Sequence, residues 1–432
     1  MEPTYYAGPQ PVRDLAFQRT QNIGAKFVRL VLTWRSVANG DVPDNADDPC
    51  DPDYNWGWFD DQVRSAHAHG LTIIATVQGA PDFAQAPPAH PDGIHNPSPT
   101  DYAEFARAAA LRYNNTDPCG IGNLPPIRYW QAWNEPNRDY FFMPQYNASG
   151  AMVSPGLYRN LVNHFANAVH NVNGANRVVA GSLAPLGKTG KPAPLPFMRK
   201  LLSQPVRFDI WAHHAYTSGG PTHRAPGEGN IALGDLGDMR KVLNANDGRI
   251  LSIGKVQFWL TEVSWDTNGP DPKAIGHKLH ARWTSEALYR AWRHGVSLVT
   301  WFRIKDDPLH GPGSTPYQSG FFTVNDKRKL SFTAFRFPFV AFRQPGKILI
   351  WGRTPTSSAG TVVIQRVIRG AWRNIASARA GSSGIFTKSF SSGARSGYVR
   401  AVFKGQKSLG FSLTPVPDRY VNPFGCGGNI GC

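Results

Sequence analysis

Seven short apolar runs, each rich in β-type residues and separated from the next by a helical pattern, constrain this chain more than any other feature. They cover residues 27–33, 72–78, 127–134, 177–182, 208–214, 256–262 and 297–302. Runs this continuously apolar cannot turn one face to water, so they predict a parallel sheet covered by helices. The intervening stretches agree. Residues 100–114 set Tyr102, Phe105, Ala106, Ala109 and Tyr113 on one helical face, with Ser98 and Pro99 supplying an N-cap and a first-turn proline. Residues 278–294 do the same with Leu279, Trp283, Ala287 and Leu288. The expected class is α/β, a (β/α)8 TIM barrel, which takes about 250 residues or more. The 432 residues leave room for a second domain.

A closed barrel needs eight strands, and seven are countable. A helical pattern over 12–20 precedes the first of them, so a strand is expected upstream of it. Residues 4–7 follow Pro3 and make a poor central strand. Either the first strand is lacking or truncated, the favoured expectation, which leaves an open seam between the first and last positions, or residues 4–7 do a weak version of its job.

Beyond residue 339 the pattern changes to alternating runs at 347–351, 360–368, 372–378, 384–390, 397–403 and 408–413, separated by Gly, Ser and Pro. That predicts an all-β sandwich. The expected division is a barrel over 1–342, a sandwich over 343–417 and a Gly/Cys-rich tail over 418–432. The sandwich is expected to pack on the barrel or to act as a spacer, with Trp351 and Trp372 as core or as platform.

With 41% hydrophobic and 18% charged residues the chain is not disordered. Its 46 Lys and Arg against 30 Asp and Glu give a formal charge of +16. Such a surface attracts nucleic acid, acidic glycans or an anionic cell envelope. No long basic block or nucleic-acid motif gives the charge a direction. The expectation is a diffuse positive surface, weak association with an anionic envelope and no specific nucleic acid. The four cysteines, Cys50, Cys119, Cys426 and Cys432, lack metal-type spacing. Either they pair, Cys426 with Cys432 in the tail and Cys50 with Cys119 between loops, or they are free buried thiols. An even count in loops points to an oxidising, extracytoplasmic compartment. There is no membrane-spanning run and no secretory signal at residues 1–3. The expectation is a secreted monomer whose signal was removed or lies outside this sequence.

Two of the apolar runs end in carboxylates, Glu135 and Glu262. Burying an ion inside a strand is expensive, whereas the C-terminal mouth of a parallel barrel is where such a group finds water, partners and work. Two carboxylates there supply an acid/base and a nucleophile. Trp133-Asn134-Glu135-Pro136-Asn137 resembles the fourth-strand signature of retaining glycoside hydrolases of clan A, the (β/α)8 group that includes families 5 and 39. Further matches follow in order: Arg29 resembles the strand-two arginine, His214 and Tyr216 the His-x-Tyr of strand six, Glu262 the strand-seven nucleophile and Trp301 the strand-eight aromatic floor.

The resemblance implies roles. Glu135 would be the general acid/base and Glu262 the nucleophile, kept ionised by Arg29 and Tyr216. Asn134 would bond the sugar 2-hydroxyl, and His214 would hold the sugar or its neighbours. No metal and no cofactor enter this chemistry. Trp34, Trp265, Tyr140, Phe141 and Phe142 lie just past strand ends, as sugar platforms or as loop packing. Trp301 in an apolar run has core packing as its alternative, and Glu262 could instead pair a buried arginine. His213 and His214 should point to opposite sides of their strand. The Asp-rich segment 41–61 does not match a calcium loop. The activity implied is a retaining O-glycoside hydrolase cleaving β-glycosidic bonds of an oligo- or polysaccharide. The competing reading is a catalytically impaired carbohydrate-binding or cell-wall adhesion protein on a hydrolase scaffold. The sandwich runs resemble the immunoglobulin-like modules of secreted bacterial hydrolases.

Overall fold

The computed structural model describes residues 3–38, 42–217, 219–267, 274–308 and 316–413. Cys426, Cys432 and the tail lie outside the described residues. The seven apolar runs become strands β1 (Phe27–Thr33), β2 (Thr72–Gln78), β3 (Tyr129–Ala132), β4 (Arg177–Leu183), β5 (Ile210–His214), β6 (Gln257–Glu262) and β7 (Leu298–Val299). They form one curled sheet, every neighbour pair parallel and in chain order. β5 is buried at all five positions, which explains why its sequence shows no polar alternation. Ile74, Val179, Ile210, Ala212 and Trp259 form a small inner cluster, separate from the large core between sheet and helices.

Helices α2 (Gln10–Asn22), α3 (Trp34–Ala38), α4 (Gly57–Ala68), α5 (Pro99–Arg112), α6 (Ser154–Val172), α7 (Pro194–Leu201), α8 (Leu236–Ala245) and α9 (His277–Arg293) connect the strands. In α5 the Ser98 side chain accepts from the Asp101 amide at 3.4 Å and Pro99 opens the first turn, a start worth about 1 kcal/mol. α6 buries Tyr158, Leu161, Val162, Phe165, Ala166 and Val169, a stripe at helical spacing.

One expectation is corrected at the seam. Residues 4–7 form no strand: Pro3–Tyr6 is a short helix, α1. The Tyr5 hydroxyl donates to the Asp306 carbonyl at 2.8 Å, and the Tyr6 ring packs on Phe17 at 4.8 Å. Two aromatics with partners outside the sheet hold this segment as a helix, and a proline there has no amide to give a ladder. Among the described residues no strand pairs with the outer edges of β1 and β7. Ile23, Ile304, Phe321, Phe322, Phe332 and Phe335, the last two from α10 (Leu330–Arg336), cover that side. Under them a cavity of about 110 Å³ remains, lined in part by Phe27, Arg29, Glu262 and Trp301. Among the described residues the sheet has seven strands, one fewer than a closed (β/α)8 barrel.

The C-terminal part is all antiparallel. One sheet has the order β12-β9-β8 and the other β11-β10-β13-β14, with β15 on β13. Their ranges are β8 (Phe339–Gln344), β9 (Lys347–Arg353), β10 (Gly360–Ile368), β11 (Ala371–Ala380), β12 (Ile385–Ser391), β13 (Tyr398–Phe403), β14 (Gln406–Lys407) and β15 (Phe411–Ser412). β8 therefore begins ahead of the boundary expected at 343. Ile348, Ile350, Val362, Ile364, Phe386, Val399 and Phe403 fill the space between the sheets. The sandwich packs on α9: Trp351 meets Tyr289 at 5.7 Å and Trp292 at 5.8 Å, and Arg282 lies 4.0 Å over Phe411. Trp351 is thus core, 3% exposed.

Cys50 and Cys119 form a disulfide across 69 residues. Cross-linking a loop of that length stabilises a fold by about 2–4 kcal/mol, chiefly by restricting the unfolded chain. The Cys50→Ser/Cys119→Ser variant should lose stability of that order in denaturant titration and show the same fold by circular dichroism. An unchanged midpoint would contradict a structural role for the bridge.

Candidate active site

Arg29 and Gln131 from within β1 and β3, Asn134, Glu135 and Tyr216 from the loops after strands, and His214 and Glu262 from the ends of β5 and β6 come together in one site. β3 is short because the chain leaves the sheet after Ala132. Trp133 and Glu135 then take left-handed φ values of 67° and 40°, unusual for residues with side chains. Each such residue costs on the order of 1–3 kcal/mol and persists only where its surroundings over-determine it. Here the Trp133 amide donates to the Val77 carbonyl at 3.0 Å and the Glu135 amide to the Ser182 carbonyl at 3.1 Å. Asn137 closes the loop, bonding the Ala184 amide and the carbonyls of Ala184 and Pro192.

β5 and β6 hold the other half. Their register shifts between His213 and His214, so that His214 stands opposite Glu262. Irregularities of this kind re-aim side chains beside functional sites. His214 Nδ1 lies 2.7 Å from Glu135 Oε1 and 3.6 Å from Glu262 Oε2. His213 points the other way, its Nε2 bonding the Ile231 carbonyl at 2.9 Å. Burial holds the His213 imidazole down to about 3, so it is neutral.

Glu262 is held at both oxygens. Arg29 Nη1 donates to Oε1 at 2.8 Å and the Tyr216 hydroxyl to Oε2 at 2.9 Å. Arg29 spends the rest of its fork on Asn134 Oδ1 at 2.6 Å and Gln131 Oε1 at 3.0 Å. Gln131 returns a bond to the Trp133 carbonyl at 2.7 Å, tying the arginine to the strained turn. Burial by itself pushes the Glu262 carboxyl up, but His214, Arg29 and the Tyr216 hydroxyl outweigh it and hold it down to about 2. Burial and the Glu262 charge push the Tyr216 phenol well above its ordinary range, so it stays a donor.

This depression has a sign that stability experiments can read. A carboxylate with a folded pKa below its unfolded one stabilises the fold above about pH 4.5, and that contribution is lost as pH falls toward 2. The stability of the protein relative to its Glu262→Gln variant should therefore decline as pH falls from 5 to 2 in urea titrations. A difference that stays level or grows toward low pH would contradict the assignment.

One oxygen of each glutamate and one His214 nitrogen lie within 4.8 Å of one another, the only such three-ligand group among the described residues. The spacing could bracket a cation, but Arg29 already occupies Glu262 Oε1 and its charge opposes a metal there. The same spacing suits two carboxyl groups acting on one atom placed between them. Inverting hydrolases need about 6.5–9.5 Å and retaining ones about 5–5.5 Å.

Not every residue singled out in the sequence reaches the mouth. Trp34 is 1% exposed, stacked on Phe105 at 5.5 Å within the outer core. Trp265 is 0% exposed, bonded to the Gly219 carbonyl and packed on Trp283 and Trp301. Both are corrections: a tryptophan just past a strand end reads alike whether it turns to solvent or back under the helices. Phe142 is also buried, whereas Tyr140 is exposed and meets a partly buried Phe141 at 4.9 Å, the rings tilted. Trp301 is partly buried, bonds the Ser319 carbonyl at 2.9 Å and lines the seam cavity with Arg29 and Glu262. Sequence reasoning missed Gln131, Phe302 and Tyr317. The Phe302 ring meets Tyr216 at 6.0 Å and Tyr317 at 5.2 Å. Gln131, a polar residue inside a run of tryptophan and alanine, was the one legible signal among them.

No family model and no curated protein matches this sequence. Solved structures do share its fold. A family 39 glycoside hydrolase from the gut symbiont Bacteroides cellulosilyticus WH2 aligns with TM-score 0.54 and 14% identity, over 88% of this chain and 76% of that one. The GH39 enzyme from Xanthomonas axonopodis pv. citri aligns with TM-score 0.54 and 13% identity, over 90% of each chain. A monomeric beta-xylosidase from Caulobacter crescentus CB15 gives TM-score 0.54 and 12% identity, over 90% and 92%. At these identities the likeness establishes the fold.

Proposed function

We propose that this protein is a retaining O-glycoside hydrolase that cleaves β-glycosidic bonds of an oligo- or polysaccharide. The observation that carries the reading is the approach of one carboxylate oxygen of Glu135, in the loop after β3, to within 4.8 Å of one of Glu262, at the C-terminal end of β6. The polarity of their surroundings divides the labour. Glu262, ionised and oriented by Arg29 and Tyr216, attacks the anomeric carbon. The bond to the leaving oxygen breaks as Glu135 gives that oxygen its proton. Glu135 Oε1 is engaged by His214, so Oε2 is the oxygen that presents the proton. In the second step Glu135 takes a proton from water, the water oxygen joins the anomeric carbon and the Glu262 ester bond breaks. Two inversions retain configuration.

Asn134 accepts from Arg29 through Oδ1, which leaves its amide N–H groups as donors for a sugar hydroxyl. Such a bond accelerates the reaction to the extent that it tightens in the transition state. The fold shared with glycoside hydrolases supports the reading. The disulfide supports an extracytoplasmic location, and no helix of the described residues is long and apolar enough to cross a membrane.

A panel of nitrophenyl β-glycosides and β-linked polysaccharides tests the proposal. Turnover of at least one member is expected, with the β-anomer as first product in proton NMR. A first product of inverted configuration would overturn the retaining mechanism.

A further inference from the structure

Three residues after Glu135 stands a buried cation with no counter-charge. Arg138 is 7% exposed, yet no carboxylate of the described residues lies within ion-pair distance of it and its side chain makes no hydrogen bond. Its Nε is sealed from solvent and has no acceptor. The neighbouring acid is taken: Asp139 pairs with Lys191 at 2.9 Å. A guanidinium N–H sealed from water without an acceptor is costly, and the two Nη groups beside it are not sealed in the same way.

The loop that presents Arg138 is hydrogen-bonded to the turn that carries Glu135. The Arg138 amide donates to the Glu135 carbonyl at 2.9 Å and the Phe142 amide to the Arg138 carbonyl at 2.8 Å. Gln145, anchored by Ser154, ties the Pro136 carbonyl to the same loop at 2.9 Å. Tyr140, exposed at the rim, carries Lys191 5.1 Å over its ring, and the same ammonium is paired with Asp139. Burial and Glu135 push the Tyr140 phenol up to about 12 while Arg138 pulls it down, so both charges act on one hydroxyl.

We infer that Arg138 forms an anion subsite beside the general acid, and that the substrate carries a carboxylate or sulfate on the sugar that departs with the proton from Glu135. A guanidinium is built for such groups, because its planar fork matches two anionic oxygens. The net charge of +16 suits an acidic polymer on approach. The inference deepens the glycosidase reading and rests on it for the identity of the departing sugar; anion binding at Arg138 is a separate matter.

The test therefore has two arms, both on the full chain, with Arg138→Met, Arg138→Lys and a charge control, Lys241→Met, whose lysine is 81% exposed. In the first, kcat/KM is measured for a nitrophenyl glycoside and for its analogue with a carboxylate on the aryl ring. Differences in leaving-group reactivity cancel when the ratio is compared between variants. Arg138→Met should lower the carboxylate-to-plain ratio about tenfold to a hundredfold, the worth of a hydrogen bond to a charged group. Arg138→Lys should restore part of it, and Lys241→Met should leave it alone. In the second arm, calorimetry follows glucuronate, inorganic sulfate and glucose. Glucuronate or sulfate should bind more tightly than glucose and lose that advantage in Arg138→Met; which of the two binds distinguishes uronic from sulfated sugars. A ratio that does not move, together with anion binding indifferent to Arg138, overturns the subsite and leaves the glycosidase reading standing. Arg138-dependent anion binding without turnover of any glycoside does the reverse.

Discussion

Replacing Glu262 with Gln should lower kcat by roughly 10⁴-fold or more, the scale on which losing a covalent nucleophile is felt. The change is close to isosteric, so Arg29 can still donate to the amide oxygen. What disappears is the ion. Both Oε1 and Oε2 of Glu262 are occupied by donors in the resting site, and those donors favour the negative form over any neutral one. Hydrolysis of the best substrate from the panel checks this, with circular dichroism to show that the variant folds. A variant that keeps a tenth of the activity would mean that Glu262 only balances Arg29, the plainer role a buried glutamate can have. It would also revive the reading as a binding protein on a hydrolase scaffold.

Glu135→Ala should show a different signature, a loss that depends on the leaving group. General acid–base help is worth about 10²–10⁴-fold, and a poor leaving group needs all of it. A dinitrophenol departs without a proton, so the first step on a dinitrophenyl glycoside should be nearly unaffected. The second step still lacks its base, and the glycosyl-enzyme should accumulate as a burst followed by slow turnover. Azide, which needs no base to attack, should speed that phase and release a glycosyl azide. Equal losses on good and poor leaving groups, with no burst, would remove Glu135 from the acid/base role.

Much of this arrangement was legible because it depends on local order. A strand buried on both faces announces itself by continuous apolar residues, and a glutamate at its end announces an open mouth. β1, β2 and the ends of β5 and β6 follow the sequence closely for that reason. β7 shrinks to Leu298–Val299, although β1, at the other edge of the same seam, keeps its full length. Trp34 and Trp265 were unreadable for a different reason: whether an indole beyond a strand end turns outward is decided by Phe105, Trp283 and Trp301, residues brought there by the fold. Gln131 and Arg138 acquire meaning only from what surrounds them in space, one fully partnered and the other without a partner.

The bridge from Glu135 to Glu262 can be examined without knowing the natural substrate. A glycoside with fluorine at C2 and a good leaving group slows the second displacement more than a trapped enzyme can overcome, so the covalent species persists. Mass spectrometry of the digested protein should find the fluorosugar on the peptide that contains Glu262, with one equivalent bound when activity reaches zero. Label on the Glu135 peptide, or inactivation with no covalent adduct, would contradict the account.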